Sequence, residues 1–322
     1  MKAKKIISVF LVFIMIAAVF TGCSSSEKAI NSDTEVSKDE TPVSTDNNIE
    51  DKNTESESGT VTTPSESSDS VKNESDIEAS DGESITEQQD SSEMTGSLTI
   101  TAEDGGEVKE DGNKYILTKT GEYHVRGTCG NRIIYVDAPE QDLDIHLEGV
   151  SMTSEIGALI YVENAEEVTV SATDGTNNEL IDNRPARANK NEDAEYGNAA
   201  IYSKDDLKFK GRGRLTVKGS YNNGIACKND IKIKNLTLNV TAQNNGIKGN
   251  DSVTIESGNI TIEAIDGNGI KTENTHISDK GNQKGYVTIT GGKVNITSGD
   301  ESIDAAYDLI IDSNNASVVR NK

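Results

Sequence analysis

Carboxylates recur beside short apolar segments in the second half of this chain. The set consists of Asp205, Asp206, Asp230, Asp251, Asp266, Asp300, Glu301 and Asp304. Carboxylates that stack at regular spacing repel one another unless they are solvated or bind a cation, and Ca²⁺ is a hard ion that takes about six to eight oxygen ligands. The set therefore predicts either a Ca²⁺ site or solvated turn residues, since Asp also favours turns.

Other residues with binding or catalytic chemistry are sparse. Tyr196, Tyr202 and Tyr221 lie near turns, where they could stack on sugar rings, although Tyr is also a common strand residue. No nucleophile motif occurs. The three histidines, among them His124 and His146, lie in separate segments, so we interpret each as an ordinary strand or loop residue. The sequence therefore predicts candidate sugar contacts but no catalytic residue.

The carboxylates recur because the chain itself repeats. Five isoleucines mark the repeat at intervals of 24, 22, 23 and 33 residues: Ile201, Ile225, Ile247, Ile270 and Ile303. The last interval contains a polar insertion, residues 274–284, whose removal restores the period. Apolar and polar residues alternate in two short runs per unit, which places one row of side chains inward and the other outward.

A unit of about 23 residues with three short strands cannot bury its apolar side alone, but it can do so when stacked on its neighbours. We therefore predict an all-β fold, a parallel β-helix over residues 96–322, rather than a β-sandwich, because hairpin signals are missing. Residues 183–198 are expected to form a polar loop.

Glycines and cysteines give two further expectations. Gly211, Gly258 and Gly292 fall between the alternating runs, where the backbone must turn, and Asn-Gly pairs such as Asn223-Gly224 suit a left-handed turn position. Cys129 and Cys227 would lie several coils apart, which predicts free thiols, with a disulfide as the alternative.

The N-terminal part has a different character. Residues 1–22 combine three lysines with an apolar core and end in Phe20-Thr21-Gly22 before Cys23, which resembles a bacterial lipobox. Residues 24–95 hold 20 acidic residues against four lysines and no aromatic residue. We predict a lipoprotein signal peptide (1–22), then a lipidated Cys23 and a disordered acidic linker rich in Ser and Thr (23–95).

Charge excludes some partners. The net charge of −24 argues against a nucleic acid partner, and scattered Cys and His exclude a zinc finger. Residues 96–322 contain 35 acidic and 24 basic residues. An acidic ligand would therefore require a bridging cation or a local basic strip.

Four segments in this order resemble a family of bacterial lipoproteins known as carbohydrate-binding domain-containing proteins. They read AIYSKDDL (200–207), GSYNNGI (219–225), GIKGNDSV (246–253) and GYVTITGG (285–292). The resemblance implies a right-handed parallel β-helix similar to pectate lyases, Ca²⁺ binding, and binding to cellulose and acidic plant cell-wall sugars. Where the family has Asp-Asp-Gly-Ile, this chain has Asn244-Asn245-Gly246-Ile247, which lowers the negative charge available to Ca²⁺.

The sequence as a whole favours a monomeric, extracytoplasmic lipoprotein, anchored by lipid to the bacterial membrane and exposed at the cell surface. It is expected to bind polysaccharide without cleaving it, with Ca²⁺ as a candidate cofactor. A Ca²⁺-dependent polysaccharide lyase is the first alternative. A structural adhesin or envelope spacer without a glycan site is the second.

Overall fold

The computed structural model describes residues 96–187 and 194–321. The chain divides into two units, Met1–Gly82 and Glu83–Lys322, and every described residue belongs to the second. The predicted signal peptide, Cys23 and the linker to residue 95 lie outside the described residues. Within the described residues, no helix is long and apolar enough to cross a membrane.

The described residues form strands joined by turns and loops. The first twelve strands are β1 (Leu98–Glu103), β2 (Val108–Asp111), β3 (Lys114–Leu117), β4 (Gly121–Gly130), β5 (Ile133–Asp137), β6 (Asp142–Ser154), β7 (Ile160–Asn164), β8 (Glu167–Ala172), β9 (Asn177–Asp182), β10 (Ala199–Ser203), β11 (Asp206–Gly211) and β12 (Arg214–Gly219). The others are β13 (Asn223–Cys227), β14 (Asp230–Ile233), β15 (Thr237–Ala242), β16 (Ile247–Gly249), β17 (Ser252–Ile255), β18 (Asn259–Ala264), β19 (Ile270–Lys271), β20 (Tyr286–Ile289), β21 (Gly292–Ser298), β22 (Ile303–Asp304), β23 (Asp308–Ile311) and β24 (Ala316–Asn321).

The strands form three faces of a solenoid. Face one contains the first halves of β4 and β6, then β8, β11, β14, β17, β20 and β23. Face two contains the second halves of β4 and β6, then β9, β12, β15, β18, β21 and β24. Face three contains β3, β5, β7, β10, β13, β16, β19 and β22. All these neighbours pair in parallel, while β1 with β4 and β2 with β3 are antiparallel at the N-terminal end, so the predicted all-β parallel β-helix is confirmed.

The repeat isoleucines form one stack inside face three. Ile201 pairs with Ile225, Ile225 with Ile247, and the stack continues to Ile270 and Ile303. The first four of these side chains are fully buried. Since burial of such a side chain contributes roughly 1.5–3 kcal/mol, the periodic isoleucines are a main source of cohesion between coils.

Glycines at the coil corners have two different roles. Gly211, Gly258 and Gly292 have φ values of 115°, 122° and 88°, which confirms that the backbone turns there. The expectation of a left-handed conformation at the Asn-Gly pairs is wrong, because Gly224 and Gly246 do not have positive φ. A Cβ at Gly246 would lie 2.2 Å from a methyl carbon of a face-two isoleucine, so glycine is required there for close packing.

A ladder of buried asparagines accompanies these glycines. Asn223 Oδ1 accepts hydrogen bonds from the backbone and side-chain nitrogens of Asn245, at 3.2 and 2.9 Å. Asn245 Oδ1 accepts from Asn268 N, and Asn268 Oδ1 from Glu301 N. These side-chain oxygens satisfy backbone N–H groups between coils, so the asparagines stabilise the stack.

Both described cysteines are buried and free, as predicted. Burial raises the pKa of the Cys129 thiol to about 11 and also raises that of Cys227. Neither thiol is therefore reactive at neutral pH.

Candidate functional site

Face one presents two rows of outward side chains, because alternate residues of its strands point away from the core. The first row is Glu122, Asp144, Thr169, Lys208, Lys232, Thr254 and Thr288. The second begins His124, His146, Ser171 and Lys210. Lys234 and Glu256 directly follow β14 and β17 in the same line. Along the solenoid axis, the face therefore changes from carboxylates and imidazoles, through hydroxyls, to four ammonium groups, and then to Thr254, Thr288 and Glu256.

The four ammonium groups, here called the lysine quartet, are Lys208, Lys210, Lys232 and Lys234. Each remains partly exposed, with 31% to 55% of the side-chain surface accessible. Lys208 pairs with Glu167, Lys210 with Asp144 at 3.2 Å, and Lys234 with Glu256 at 3.1 Å. Partly exposed pairs of this kind are worth at most about 1 kcal/mol, so these ammonium groups can exchange partners with an anionic ligand.

A groove of about 780 Å³ lies beside the quartet, toward the C-terminal coils of face one. Strand residues such as Asp230 and Ser252 form its floor, and residues 274–285, here called the insertion loop, form its wall. The buried Asp251 anchors both ends of this loop: Asn274 Nδ2 donates to it at 2.6 Å and Lys284 Nζ pairs with it at 2.5 Å. The polar insertion identified in the sequence therefore forms one side of a ligand-sized groove.

Carboxylates line the edge of face one at the start of four consecutive strands, β6, β8, β11 and β14. Register aligns Asp142 with Glu167, and Glu167 with Asp206, and Asp230 follows in the next coil. The pKa of Asp206 is raised to about 6, mainly by burial and also by the nearby charges of Asp230 and Glu167, although the hydrogen bond from Asp230 N opposes the shift. Asp206 is therefore only partly protonated at neutral pH and can respond to a cation or an incoming charge.

The structure divides the predicted Ca²⁺ ligands between separate places. Asp206, Asp230 and Asp251 line the larger groove. Asp205 instead accepts a hydrogen bond from the backbone of Ala165 at 3.0 Å. Three others lie at or near the corner between faces two and three: Asp266, Asp300 and Glu301. Asp304 lies in β22 and pairs with Lys271 at 2.5 Å.

The groove carboxylates have the oxygen chemistry that Ca²⁺ prefers, but they do not converge. Asp230 accepts from Ser252 at 2.7 Å, and both oxygens of Asp251 are engaged by Asn274 and Lys284. Among the described residues, no three of the predicted ligands bring their oxygens within 4.8 Å of one another. A Ca²⁺ ion here would therefore need further oxygen ligands from a bound molecule.

The three predicted sugar-binding tyrosines lie away from face one. Tyr202 is 4% exposed and stacks on Tyr161, with ring centroids 5.5 Å apart. Tyr196 packs edge-on against Tyr161 at 6.1 Å, and Tyr221 lies under the guanidinium of Arg184 at 4.0 Å. Tyr202 and Tyr161, with Tyr196 packed against them, belong to a second apolar cluster on the outside of face three, and Tyr221 lies apart from it.

A histidine pair at the N-terminal end of face one was not predicted from the sequence. His124 and His146 are strand residues, as expected, but β4 and β6 pair in register and the two imidazole rings stack with centroids 4.9 Å apart. The signal was the repeated pattern of an acid, an apolar residue and His in Glu122-Tyr123-His124 and Asp144-Ile145-His146. That pattern places an acid and an imidazole on the same side of each strand.

Comparison with known proteins supports a carbohydrate-related family. A family model described as carbohydrate-binding domain-containing protein matches residues 111–322. A protein of that description from Acetivibrio thermocellus is 44% identical over 207 residues, which cover 63% of this chain and 68% of the relative. A solved structure, described as the polysaccharide lyase-like protein from C. thermocellum in a gadolinium derivative, is similar with a TM-score of 0.58 and 34% identity, covering 66% of this chain and 92% of the other. Because the family model matches well over half of its residues, this chain belongs to the carbohydrate-binding domain-containing protein family.

Proposed function

We propose that this protein binds an acidic polysaccharide along face one and does so without cleaving it. The observation that carries the proposal is the lysine quartet, which concentrates four partly exposed ammonium groups on one open face. The family and the lyase-like structural neighbour support polysaccharide as the ligand class.

The charge distribution favours an anionic ligand at this place. The chain has a net charge of −24, so an acidic polymer is repelled by most of the protein. The quartet reduces the negative charge locally, because four ammonium groups there face three paired carboxylates, Glu167, Asp144 and Glu256. Lys208 and Lys232 lie on adjacent strands, which are about 4.8 Å apart, so they can contact successive carboxylates of an extended polymer.

The larger groove supplies the neutral contacts that a sugar also needs. Ser252, Thr254 and Asn229 line it and offer hydroxyl and amide groups to sugar hydroxyls. The glycan would lie along the solenoid axis, from the quartet into this groove.

Ca²⁺ enters the proposal as a bridging ion. Asp206 and Asp230 lie at the edge of the quartet, and each can offer carboxylate oxygen to a cation. A uronate carboxylate of the glycan would supply the remaining oxygens, so Ca²⁺ and glycan would bind together. Burial of Asp206 supports this role, because a partly desolvated carboxylate gains more from a cation than a solvated one.

We further propose that the protein acts at the cell surface, held by lipid on Cys23. The acidic tract of residues 24–95 separates Cys23 from the β-helix along the sequence.

Retention on immobilised polygalacturonate tests the proposed binding. The full chain in detergent is applied in Ca²⁺ and then in EDTA, alongside K232Q/K234Q. The matched control is K218Q/K293Q, which removes two exposed lysines from face two. We expect the quartet variant to lose retention about tenfold or more and the control to retain like the parent chain.

The two buffers separate the contribution of Ca²⁺ from that of the lysine quartet. Loss of retention in EDTA supports the Ca²⁺ bridge, whereas retention that persists in EDTA leaves the quartet as the sole electrostatic contact. Equal retention of K232Q/K234Q and K218Q/K293Q would overturn face one as the binding surface.

A further inference from the structure

The N-terminal end of face one contains a cluster of two carboxylates and one imidazole. Glu122 lies in β4, and Asp144 and His146 lie in the adjacent β6. Each of the three side chains offers one ligand atom, and these three atoms all lie within 4.8 Å of one another. Within the described part of the chain, this is the one such group of His, Cys, Asp and Glu side chains.

A second observation concerns one nitrogen atom of the His146 imidazole. His146 Nε2 is a buried atom with no hydrogen-bond partner, although the ring as a whole is 22% exposed. It lies 3.7 Å from Glu122 Oε2, which is too long for a hydrogen bond. A buried polar nitrogen without a partner is costly, so Nε2 is available to bind an ion or a water molecule.

The rest of the cluster holds the imidazole in place. His124 stacks on His146 with an interplanar angle of 13°. The Nδ1–H of His124 donates to Glu148 Oε1 at 2.7 Å, since a carboxylate can only accept. Both rings are thereby fixed, and the Nε2 atoms of both lie within 3.8 Å of Glu122 Oε2.

We propose that Glu122, Asp144 and His146 bind one divalent transition-metal ion of the Zn²⁺ type. Nitrogen and oxygen ligands bind such an ion at about 2.0–2.2 Å, so two ligands in tetrahedral arrangement lie about 3.4 Å apart. The observed 3.7 Å between His146 Nε2 and Glu122 Oε2 requires an adjustment of only a few tenths of an ångström. Imidazole favours transition metals over Ca²⁺, which distinguishes this site from the groove carboxylates.

The proposed ion would have an open side. Glu122 and Asp144 line a smaller groove of about 390 Å³, together with Thr169 and Lys208. Three protein ligands leave a fourth position for water or a ligand oxygen. Lys210 contacts Asp144 Oδ1 at 3.2 Å, which leaves Oδ2 of that carboxylate for the metal. His124 is a positioning residue, because it holds the His146 ring by stacking.

Metal binding can be measured without any glycan, so this inference is independent of the proposed function. The probe is Co²⁺, followed by its visible absorption on the untagged full chain in detergent and displaced with Zn²⁺. Excess Ca²⁺ is present throughout to occupy sites made only of oxygen. We expect one Co²⁺ per chain, displaced by Zn²⁺, and affinity lowered at least tenfold in H146Q and in E122Q.

Two variants serve as matched controls. H276Q removes the third histidine of the chain, in the insertion loop, and E301Q removes a glutamate at another corner. Both should bind Co²⁺ like the parent chain. Equal binding by H146Q and H276Q would overturn the proposal.

A measurement on the parent chain covers the case in which a variant fails to fold. The chain has three histidines, so its imidazole proton resonances are few enough to follow during a Zn²⁺ titration. Zn²⁺ should shift the His146 signal at one equivalent and leave His276 unchanged. No shift of any histidine at several equivalents would refute the site.

Discussion

Asn223 accepts two hydrogen bonds from Asn245 of the next coil, from the backbone N at 3.2 Å and from Nδ2 at 2.9 Å. Both side chains are buried, with 2% and 7% exposure. The same kind of contact recurs in the following coil, where Asn245 Oδ1 accepts a hydrogen bond from the backbone N of Asn268 at 3.1 Å. Asparagine suits this place because its side chain both accepts from the next coil and donates to the previous one. An ionised aspartate has no side-chain hydrogen to donate, so it could accept from the next coil but could not donate to the previous one.

Substitution of Asn245 therefore tests the ladder. N245A leaves the backbone N–H of Asn268 without its acceptor, and we expect a loss of about 1–3 kcal/mol in the free energy of unfolding. N245D should cost at least as much, because an ionised carboxylate would face Asn223 Oδ1. Urea unfolding of the full chain measures both. N259A, at an exposed position of β18, is the control, and equal stability of N245A and N259A would contradict a structural role for the ladder.

The periodic apolar residues made the fold predictable, whereas the site depended on contacts between coils. Ile225 and Ile247 recur at the repeat length, and their spacing alone indicates that they stack. His124 and His146 belong to early coils in which the repeat is weak, so the spacing did not reveal that they meet. Residues that point outward are not part of the apolar pattern. Which of them are neighbours can be known only from the register of the strands.

Some individual residues could be interpreted in two ways, and packing decided between them. An Asn-Gly pair is typical of a left-handed turn, but Gly246 is required because its Cα approaches the Ile262 side chain. Tyr202 near a turn could equally bind sugar or pack, and its burial against Tyr161 favours packing. Local sequence preference cannot make these distinctions, since each depends on residues in another coil.

The stability of the protein should depend on pH through Asp206. Its pKa in the folded state is raised to about 6, above the ordinary value of 3.8, so between these pH values the folded state binds more protons than the unfolded state. Stability from this group is therefore fully present below about pH 4 and falls as the pH rises through 6. D206N removes the buried charge, and we expect it to be more stable than the parent at pH 8, by on the order of 1–2 kcal/mol after allowance for partial solvent exposure.

Urea unfolding at pH 4.5 and pH 8 measures the Asp206 effect. The advantage of D206N should shrink at the lower pH, where Asp206 is already neutral in the parent chain. D279N, in the exposed part of the insertion loop, controls for the general effect of removing one negative charge. An advantage of D206N that is the same at both pH values would show that the burial of its charge is not the cause.

The insertion loop should open when Asp251 is replaced. Asp251 is 6% exposed and holds Asn274 at one end of the loop and Lys284 at the other. D251A removes both contacts, and we expect trypsin to cleave after the exposed Lys280 several-fold faster, because cleavage requires the loop to leave its folded position. D251N should be cleaved at an intermediate rate. Its amide oxygen can still accept from Asn274, but the side chain no longer has the charge that attracts Lys284.

Mass spectrometry of the fragments over time gives the cleavage rate, with D300A at an exposed corner as the control. Cleavage of D251A at the parent rate would mean that backbone hydrogen bonds, such as that from Gly285 N to Asp251 O at 2.6 Å, are sufficient to hold the loop.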